Sequence, residues 1–389
     1  MKRSTFVAGA AGAAIAGAHA TAGAQLLPGQ TFLQQLSLGV SVPLSGPLKK
    51  YGDEIVAGVQ ASIDYTNRYT AGMQGRVFGL RSFDDQDSST VAVTNVQIAA
   101  NDPSIVAMIG NLTGDVTITA TPNYQNVGFA LVVPATTADG VTDRAFRNVF
   151  RLPTKDVTEG LLFARATLLG RKPIVAIAVA LDDGYGFDVA KGFTQQAKTD
   201  RHLADTMLFP AKGFDPANAA RAVLARQPVF VFLAGRTSDL GPLAEALRLA
   251  GYVGEFGASN GFYGEATTAS YATVMANALV STSLPPLDKI PDQIQEYTFL
   301  GNRLGQITAF SAFGYASAQI AILASQRANA TTRLTLLSAL QTGGTYDTLL
   351  GPFSFGVTGD PTLANIYLYK VTKDGLVFVK PAIATPYVI

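Results

Sequence analysis

Residues 36–69 read LSLGVSVPLSGPLKKYGDEIVAGVQASIDYTNRY, and the order of features in this stretch decides the fold class. The first nine residues are mostly apolar and end at the turn Ser45-Gly46-Pro47, which is typical of a strand and its exit. After the turn, Ile55, Val59 and Ile63 stand four residues apart, so they share one face of a predicted helix. The stretch therefore predicts a strand followed directly by an amphipathic helix.

The same alternation continues along most of the chain. Further strands are predicted at 77–83, 105–109, 129–133, 174–181, 229–233, 366–371 and 376–379. Further helices are predicted at 90–100, 115–125, 157–169, 185–199, 217–226, 238–250, 293–304, 309–328 and 334–341. Most of the strands are continuous apolar runs, as expected when a sheet is covered on both faces. Strands that alternate with helices of about ten to fifteen residues predict an α/β fold of doubly wound parallel sheets.

Length and composition narrow the class of protein. A chain of 389 residues exceeds what one hydrophobic core usually serves, so two lobes are expected. The 29 basic and 28 acidic residues leave a formal net charge of +1, and the basic residues are scattered, so no nucleic-acid partner is expected. The absence of cysteine excludes disulfides, thiolate metal sites, a cysteine nucleophile and a lipidated cysteine.

The first 24 residues are typical of an export signal. Lys2 and Arg3 precede an almost uncharged run at 6–18, which is followed by the small-residue sites Ala18-His19-Ala20 and Ala22-Gly23-Ala24. A membrane anchor is the alternative, but the run is shorter than the ~20 residues that a spanning helix needs. We therefore expect a signal peptide at 1–24, cleaved near Ala20 or Ala24, and a soluble exported protein.

Enzymatic chemistry finds little support in the sequence. The chain has two histidines, and His202 is the only one beyond the predicted signal; we expect it to be a solvated residue at a helix end. Residues 257–261 read GASNG and match the G-x-S-x-G nucleophile elbow around Ser259, but that arrangement needs a histidine downstream of the serine. We therefore expect no catalytic residue and no enzyme activity.

The acidic loop with Asp84, Asp85 and Asp87 also fails as a functional motif. Read as a calcium loop from either of the first two aspartates, it lacks the required glycine and glutamate. These carboxylates are expected to be solvated or to cap the next helix. Residues 184–186 read GYG and lack the third glycine of a dinucleotide-binding fingerprint, so neither a metal nor another cofactor is expected.

Several short segments, taken in order, resemble a known family. They are Ser45-Gly46-Pro47, Tyr51-Gly52, Asp84-Asp85, Ile109-Gly110, Pro134-Ala135-Thr136-Thr137 and Tyr185-Gly186. From residue 36 to the C-terminus the chain resembles the type I periplasmic solute-binding proteins of ABC transporters, in their leucine/isoleucine/valine-binding (branched-chain amino-acid) branch. No single segment is specific to the family; the ordered series is.

The resemblance implies a Venus-flytrap of two doubly wound lobes joined by three hinge strands. The chain would cross near 150–153, 280–285 and 351–355. Lobe 1 would then comprise 36–152 and 285–352, and lobe 2 would comprise 153–284 and 353–389. A small molecule would bind in the cleft, at the carboxyl ends of the parallel strands, and lobe closure would present it to the permease subunits of an ABC importer. We expect the protein to act as a monomer.

The resemblance also implies ligand-binding positions. They are Tyr51, Thr113, Gly114, Asp115, Ala135, Thr136, Thr137, Tyr185, Arg236, Thr237 and Asn260. Tyr51 and Tyr185 match aromatic residues that border the cleft from lobe 1 and lobe 2. Thr113 or Gly114 stands where the family has a serine that holds the ligand carboxylate, and residues 135–137 match the loop that binds the same group.

Two positions depart from the family's pattern. The second cleft tyrosine falls at Arg236 or Thr237, and the carboxylate that receives the ligand's α-ammonium falls at Asn260. Asn260 accepts hydrogen bonds but brings no charge, so either Asp115 or Asp183 replaces it or the ligand lacks an amine. Arg236 presents a fork suited to a carboxylate.

These departures leave alternatives open. A branched-chain or other amino acid is the default ligand, and a small carboxylate, amide or apolar molecule without an α-amine is the other. A ligand sensor that signals to a membrane receptor would use the same fold. A hydrolase built on Ser259 is a third class.

Overall fold

The computed structural model describes residues 34–69, 76–144, 146–182, 185–264, 271–290 and 293–383. The predicted signal at 1–24 and Asp183 lie outside these residues. Among the described helices, none is long and apolar enough to cross a membrane.

The opening stretch forms the strand and helix expected from its sequence. Strand β1 spans Gln34–Val42, and helix α1 spans Lys49–Tyr69. Residues 36–43 are all buried, because β1 lies inside a sheet that is covered on both faces. The apolar face of α1 packs against that sheet through Ile55, Val59 and Ile63. The strand-then-helix unit is therefore the start of a doubly wound sheet.

Two sheets organise the described chain. The first has the order β2-β1-β3-β4-β5 and is parallel throughout. The second has the order β14-β13-β10-β9-β8-β6-β7; its strands β6 to β10 are parallel, and β13 and β14 add an antiparallel hairpin at one edge. The pair β11 and β12 forms a separate small hairpin. The predicted α/β fold of parallel-sheet lobes is confirmed.

The remaining bounds are as follows. The strands are β2 Arg76–Asp84, β3 Ile105–Gly110, β4 Ala130–Val133, β5 Val149–Arg151, β6 Val175–Leu181, β7 Leu203–Phe209, β8 Phe230–Leu233, β9 Glu255–Ala258, β10 Leu279–Thr282, β11 Tyr346–Thr348, β12 Gly351–Phe353, β13 Asn365–Thr372 and β14 Gly375–Ile383. The helices are α2 Ser89–Ala100, α3 Gly114–Asn126, α4 Asp156–Leu168, α5 Phe187–Thr199, α6 Pro216–Leu224, α7 Thr237–Leu249, α8 Ile294–Leu304, α9 Ala309–Ala328 and α10 Arg333–Thr342.

Each sheet carries helices on both faces. One face of the first sheet packs against α1, α8, α9 and α10, and the other packs against α2 and α3. One face of the second sheet packs against α6 and α7, and the other packs against α4 and α5. We call the first sheet with its helices the first lobe, and the second sheet with its helices the second lobe. The residue boundaries predicted for the lobes stay predictions.

In each lobe, a glycine allows two helices to pack with their backbones close together. In the first lobe, a Cβ on Gly58 of α1 would lie 2.0 Å from the carbonyl oxygen of Ser311 in α9. In the second lobe, a Cβ on Gly160 of α4 would lie 1.9 Å from the carbonyl oxygen of Val189 in α5. Any side chain at either position would force the two helix backbones apart, so these helix pairs depend on glycine.

Three segments of chain run between the lobes, and hydrogen bonds join them side by side. The first follows β5, the second follows β10, and the third lies between β12 and β13. The backbone N–H of Thr154, in the first segment, donates to Ser283 Oγ in the second segment at 3.0 Å. Its hydroxyl donates to the carbonyl oxygen of Asn365, where the third segment enters β13, at 2.9 Å. Thr154 therefore links all three segments.

Arg151, at the end of β5, makes a second and larger junction. Its side chain is fully buried, and its five N–H groups donate five hydrogen bonds. Two of them go to Asp360 Oδ1 in the third segment, which also forms an ion pair with Arg151. The others go to the carbonyl oxygens of Thr137 (3.0 Å) and Ala138 (2.6 Å) and to the hydroxyl of Thr142 (2.6 Å).

Strands β7, β9 and β11 were not predicted from the sequence, and one side chain is placed differently. The sequence of β7, LADTMLF, mixes polar and apolar residues because β7 is an edge strand, where Leu203 is 70% exposed. Strands β9 (EFGA) and β11 (YDT) are too short to show an apolar run. The prediction that His202 is solvated is wrong. It follows α5, but its ring is buried: Nδ1 accepts from the N–H of Ile174 at 3.3 Å, and Nε2 lies 3.1 Å from the carbonyl oxygen of Leu168.

We predict that Arg151→Lys lowers the free energy of unfolding by about 2–4 kcal/mol, because lysine keeps the charge but has three N–H donors where the planar guanidinium donates five hydrogen bonds. Urea unfolding followed by circular dichroism measures the change. Arg171→Lys is the matched control, since Arg171 forms an exposed ion pair with Glu255 that contributes about 0–1 kcal/mol. Equal losses in the two variants would contradict the structural role assigned to Arg151.

Candidate functional site

The candidate residues lie where parallel strands end, as expected for ligand sites in sheets of this kind. In the first lobe, the loops after β3 and β4 carry residues 111–115 and 134–138. In the second lobe, Tyr185 follows β6, Arg236 and Thr237 follow β8, and Asn260 follows β9. The loop positions expected from the sequence therefore lie at the carboxyl edges of the two sheets.

A buried polar cluster underlies the first-lobe edge. Asn111 Nδ2 donates to Asp85 Oδ2 at 2.8 Å and lies 3.3 Å from Ser41 Oγ, and all three residues are fully buried. Burial raises the pKa of Asp85. The expectation that these aspartates are solvated or cap the next helix is wrong for Asp85. The side chain that caps α2 is Ser88, which accepts from the N–H of Val91.

The start of α3 lies against the loop that follows β4. A Cβ on Gly114 would lie 2.8 Å from the Cβ of Ala138 and 3.6 Å from Thr136 Oγ1, so the two loops are in contact. Thr113 occupies the N-cap position of α3, but its hydroxyl donates to Asp87 Oδ1 at 2.6 Å instead of capping the helix. The N-terminus of α3 and the nearby hydroxyl of Thr136 present donors suited to an anion.

The loop after β4 is itself fixed to the second lobe. Thr136 and Thr137 are buried, and Ala135 is partly buried. The carbonyl oxygen of Thr137 accepts from the N–H of Asp156, the first residue of α4, at 3.0 Å. Since Arg151 binds the same carbonyl, the positions of these threonines are set by the junction between the lobes.

Two further first-lobe candidates lie apart from this contact. Tyr51 is 38% exposed, and its ring packs against Phe310 with centroids 4.8 Å apart. Asp115 lies in the first turn of α3, and its carbonyl oxygen is 3.5 Å from Ser89 Oγ. Among the described residues, neither Tyr51 nor Asp115 forms a hydrogen bond with the loop after β4, so the structure does not bring them together with it.

The second-lobe candidates form one connected cluster. The hydroxyl of Tyr185 donates to Asn260 Oδ1 and accepts from the N–H of Gly261 at 3.0 Å. The guanidinium carbon of Arg236 lies 4.9 Å from the centre of the Tyr185 ring, within cation–π range. Thr237 Oγ1 donates to the carbonyl oxygen of Gly261 at 3.2 Å. The four positions inferred separately from the sequence are thus brought together around residues 260–261.

Glu159 is the residue of this cluster that sequence reasoning missed. It lies in the first turn of α4, where its Oε1 accepts from the N–H of Asn260 (2.7 Å) and from Ser281 Oγ (2.6 Å). Its Oε2 is buried and has no hydrogen-bond partner among the described residues. In the sequence, Asp156 and Glu159 look like ordinary acidic residues of a helix start. Since α4 also carries Asp156, Thr158 and Arg165, nothing in its sequence distinguishes Glu159 from a solvated residue.

Burial changes the acidity of both carboxyl groups. It raises the pKa of Glu159 to about 7, although the hydrogen bond from Ser281 opposes the shift. It also raises the pKa of Asp156 to about 7, against a hydrogen bond from Thr137. The negative charge of Asp156 also raises the pKa of Glu159. The negative charges of Asp139 and Asp188 raise the pKa of Asp156, and the positive charge of Arg151 opposes them.

Ser259 has a structural role within the same region. It is fully buried, and its Oγ both accepts from the N–H of Gly235 and donates to the carbonyl oxygen of Gly235, each at 3.0 Å. The hydroxyl thereby ties the end of β9 to the loop after β8. The serine of the GASNG segment therefore connects two loops of the second lobe through hydrogen bonds to the backbone.

Comparison with known proteins gives consistent results over nearly the whole described chain. A family described as "Periplasmic binding protein" matches residues 35–375. The Leu/Ile/Val-binding protein BraC3 of Rhizobium johnstonii is 27% identical over 344 residues, which cover 86% of this chain and 91% of that protein.

Two solved structures show the same fold. An ABC transporter substrate-binding protein from Desulfitobacterium hafniense in complex with Leu has a TM-score of 0.76 at 20% identity and covers 89% of this chain and 100% of that one. A solute-binding protein of an ABC transporter from R. palustris in complex with benzoate has a TM-score of 0.73 at 18% identity and covers 92% and 99%. This one fold thus holds ligands with and without an amine.

We predict that Glu159→Gln gains stability relative to the wild type as pH rises. A carboxyl group with a raised pKa favours the folded state fully below about pH 4.5, and this contribution is lost as pH rises through the folded-state value near 7. Glutamine does not titrate, so the difference between the two proteins should grow by about 1–3 kcal/mol from pH 5 to pH 8.

Urea unfolding at pH 5, 6, 7 and 8 measures this difference. Glu245→Gln, at an exposed position of α7, is the control and should follow the wild-type pH profile. A constant difference between Glu159→Gln and the wild type across this range would show that the buried carboxyl does not titrate there.

Proposed function

The chain belongs to the periplasmic binding protein family, and from that premise we propose that it captures a small solute between its lobes and delivers it to an ABC importer. An amino acid or a related small carboxylate or amide is the proposed ligand. Lobe closure would remove the solute from water and create the surface that the permease subunits recognise. We further propose a soluble periplasmic protein that acts as a monomer after removal of its signal.

One observation carries this proposal: polar groups of opposite character gather at the carboxyl edges of the two sheets. The first lobe contributes the α3 N-terminus with Thr136 and Thr137, which suit a carboxylate. The second lobe contributes the Tyr185–Asn260 pair, which offers hydrogen-bond acceptors. A molecule with an anionic end and a polar or cationic end would be complementary to such a pair of edges. The Leu/Ile/Val-binding relatives support this choice of ligand.

A ligand without an amine is the second candidate, and Arg236 is the observation that favours it. Its guanidinium lies over the Tyr185 ring, where it would suit a second carboxylate or an aromatic acid. The benzoate complex of the R. palustris protein shows that this fold accommodates such a ligand. A sensor that passes the bound state to a membrane receptor would use the same closure.

We propose that the chain catalyses no reaction. Ser259, the one serine in a nucleophile-like motif, is buried, and its hydroxyl is engaged with Gly235 on both its donor and acceptor sides. Hydrolysis of p-nitrophenyl acetate should therefore be the same for the wild type and Ser259→Ala. Turnover that is lost in the variant would revive the hydrolase alternative.

We predict saturable 1:1 binding of leucine in isothermal titration calorimetry, after endogenous ligand has been removed by unfolding and refolding. Thr136→Val keeps the side-chain shape but removes the hydroxyl that faces the α3 N-terminus, and should weaken leucine binding about tenfold or more, since hydrogen bonds to charged groups contribute about 1.5–3 kcal/mol. Thr298→Val, on the exposed face of α8, is the control.

The outcomes separate the candidates. Binding of benzoate but not leucine would favour the second ligand class. Absence of binding to amino acids, their 2-oxo analogues and aromatic acids alike would contradict the solute-binding proposal. Equal affinities of the two threonine variants would remove the Thr136 hydroxyl from the site.

A further inference from the structure

Asn260 lies at the centre of the second-lobe cluster, and its own side chain is neutral. A carboxyl group nevertheless lies directly behind it, because Glu159 Oε1 accepts from the Asn260 backbone N–H at 2.7 Å. The Tyr185 hydroxyl is bonded to the Asn260 side chain and to the next backbone N–H, at Gly261. A carboxyl group from a different helix therefore lies within hydrogen-bond distance of the neutral residue at position 260.

Only one of the two oxygens of the Glu159 carboxyl has a hydrogen-bond partner among the described residues. Oε1 is fixed by Asn260 N–H and Ser281 Oγ, so the group cannot rotate away without losing both bonds. Oε2 is buried and has no hydrogen-bond partner among the described residues, and the whole residue is only 1% exposed. An ionised carboxylate buried in this way is costly unless a cation or further donors compensate it.

The surrounding charges do not compensate it. Asp156, on the same helix, carries a like charge, and its Oδ1 is also buried without a partner among the described residues. From the other elements, Tyr185, Asn260 and Ser281 are neutral, and burial holds the pKa of Tyr185 well above its usual range. Arg151 donates all its N–H groups elsewhere, and Arg236 stacks on the outer side of the cluster, over the Tyr185 ring.

We propose that Glu159 is the specificity-determining residue of the solute site: its carboxylate is the counter-charge for a primary ammonium group of the ligand, bound at Asn260 and Tyr185. This inference rests on the proposed solute-binding function. Asn260 Oδ1 and the Tyr185 oxygen would accept hydrogen bonds from the ammonium, and Glu159 would provide the negative charge behind them. The site would then select ligands with an amine even though position 260 is neutral.

The test compares amine-bearing ligands with their amine-free analogues. We titrate the twenty common amino acids, their 2-oxo acids and benzoate into the wild type by calorimetry at pH 8. We then select the amino acid that binds the wild type most tightly, and titrate it and its 2-oxo acid into Glu159→Gln. Glu296→Gln is the matched control, since Glu296 is a partly buried glutamate of the first lobe, hydrogen-bonded to Gln319 and far from the cluster in the fold.

We expect the wild type to prefer the amino acid over its 2-oxo analogue by at least about tenfold. Glu159→Gln should lose about tenfold to a hundredfold in affinity for the amino acid and little or none for the 2-oxo acid, so that the preference collapses. Glu296→Gln should keep it. A merely structural role of Glu159 would weaken both ligands equally, and that result would overturn the inference.

A second measurement keeps the test decisive if Glu159→Gln does not fold. Ionisation of the Glu159–Asp156 pair on binding would release up to about one proton near pH 7, which calorimetry in buffers of different ionisation enthalpy detects. The wild type should release protons on binding the amino acid but not the 2-oxo acid. Equal proton release with both ligands would overturn the inference.

Failure of the inference is distinguishable from failure of the proposed function. Wild-type binding only to amine-free acids would overturn the role of Glu159 and leave a solute-binding protein. Binding to none of these molecules would overturn the solute-binding proposal, and the role of Glu159 with it.

Discussion

The buried guanidinium of Arg151 is the constraint on which the arrangement of the two lobes depends. It lies at the end of β5, where the chain first leaves the first lobe, and it bonds to Asp360 in the last segment that runs between them. It also holds the carbonyl oxygens of Thr137 and Ala138. Because a guanidinium is rigid and planar, one side chain fixes the mutual orientation of three separate parts of the chain.

Both halves of the candidate site follow from this junction. The loop with Thr136 and Thr137 is held in place by Arg151 and by the N–H of Asp156. Asp156 begins α4, whose first turn also carries Glu159, bonded to the N–H of Asn260. The proposed anion-binding edge of the first lobe and the carboxyl group of the second are therefore only a few residues from the same fixed point. Under the proposed function, ligand recognition and the connection between the lobes would share one set of bonds.

The sequence predicts what depends on local pattern and fails where long-range contacts decide. Ile55, Val59 and Ile63 show helical spacing on their own, and apolar runs such as IVAMIG show a strand buried on both sides. The polar side chains are different. Asp85, His202 and Glu159 look solvated in the sequence, yet each is buried because residues distant in the chain bond to it: Asn111, Ile174 and Asn260. Edge strand β7 was missed because one side of it meets solvent.

The contact between α1 and α9 has a consequence for the order in which the protein is built. The first lobe contains the earliest strand, but its core includes residues of α9, which begins 260 positions after the start of α1 (Lys49 to Ala309). On a growing chain, α1 alone covers that face of the first sheet until the second lobe's strands β6 to β10 have been synthesised. The second lobe can assemble these central strands from one continuous segment. The lobe that starts first thus waits for the central strands of the other lobe, and its partly covered sheet is the surface that a chaperone would have to protect.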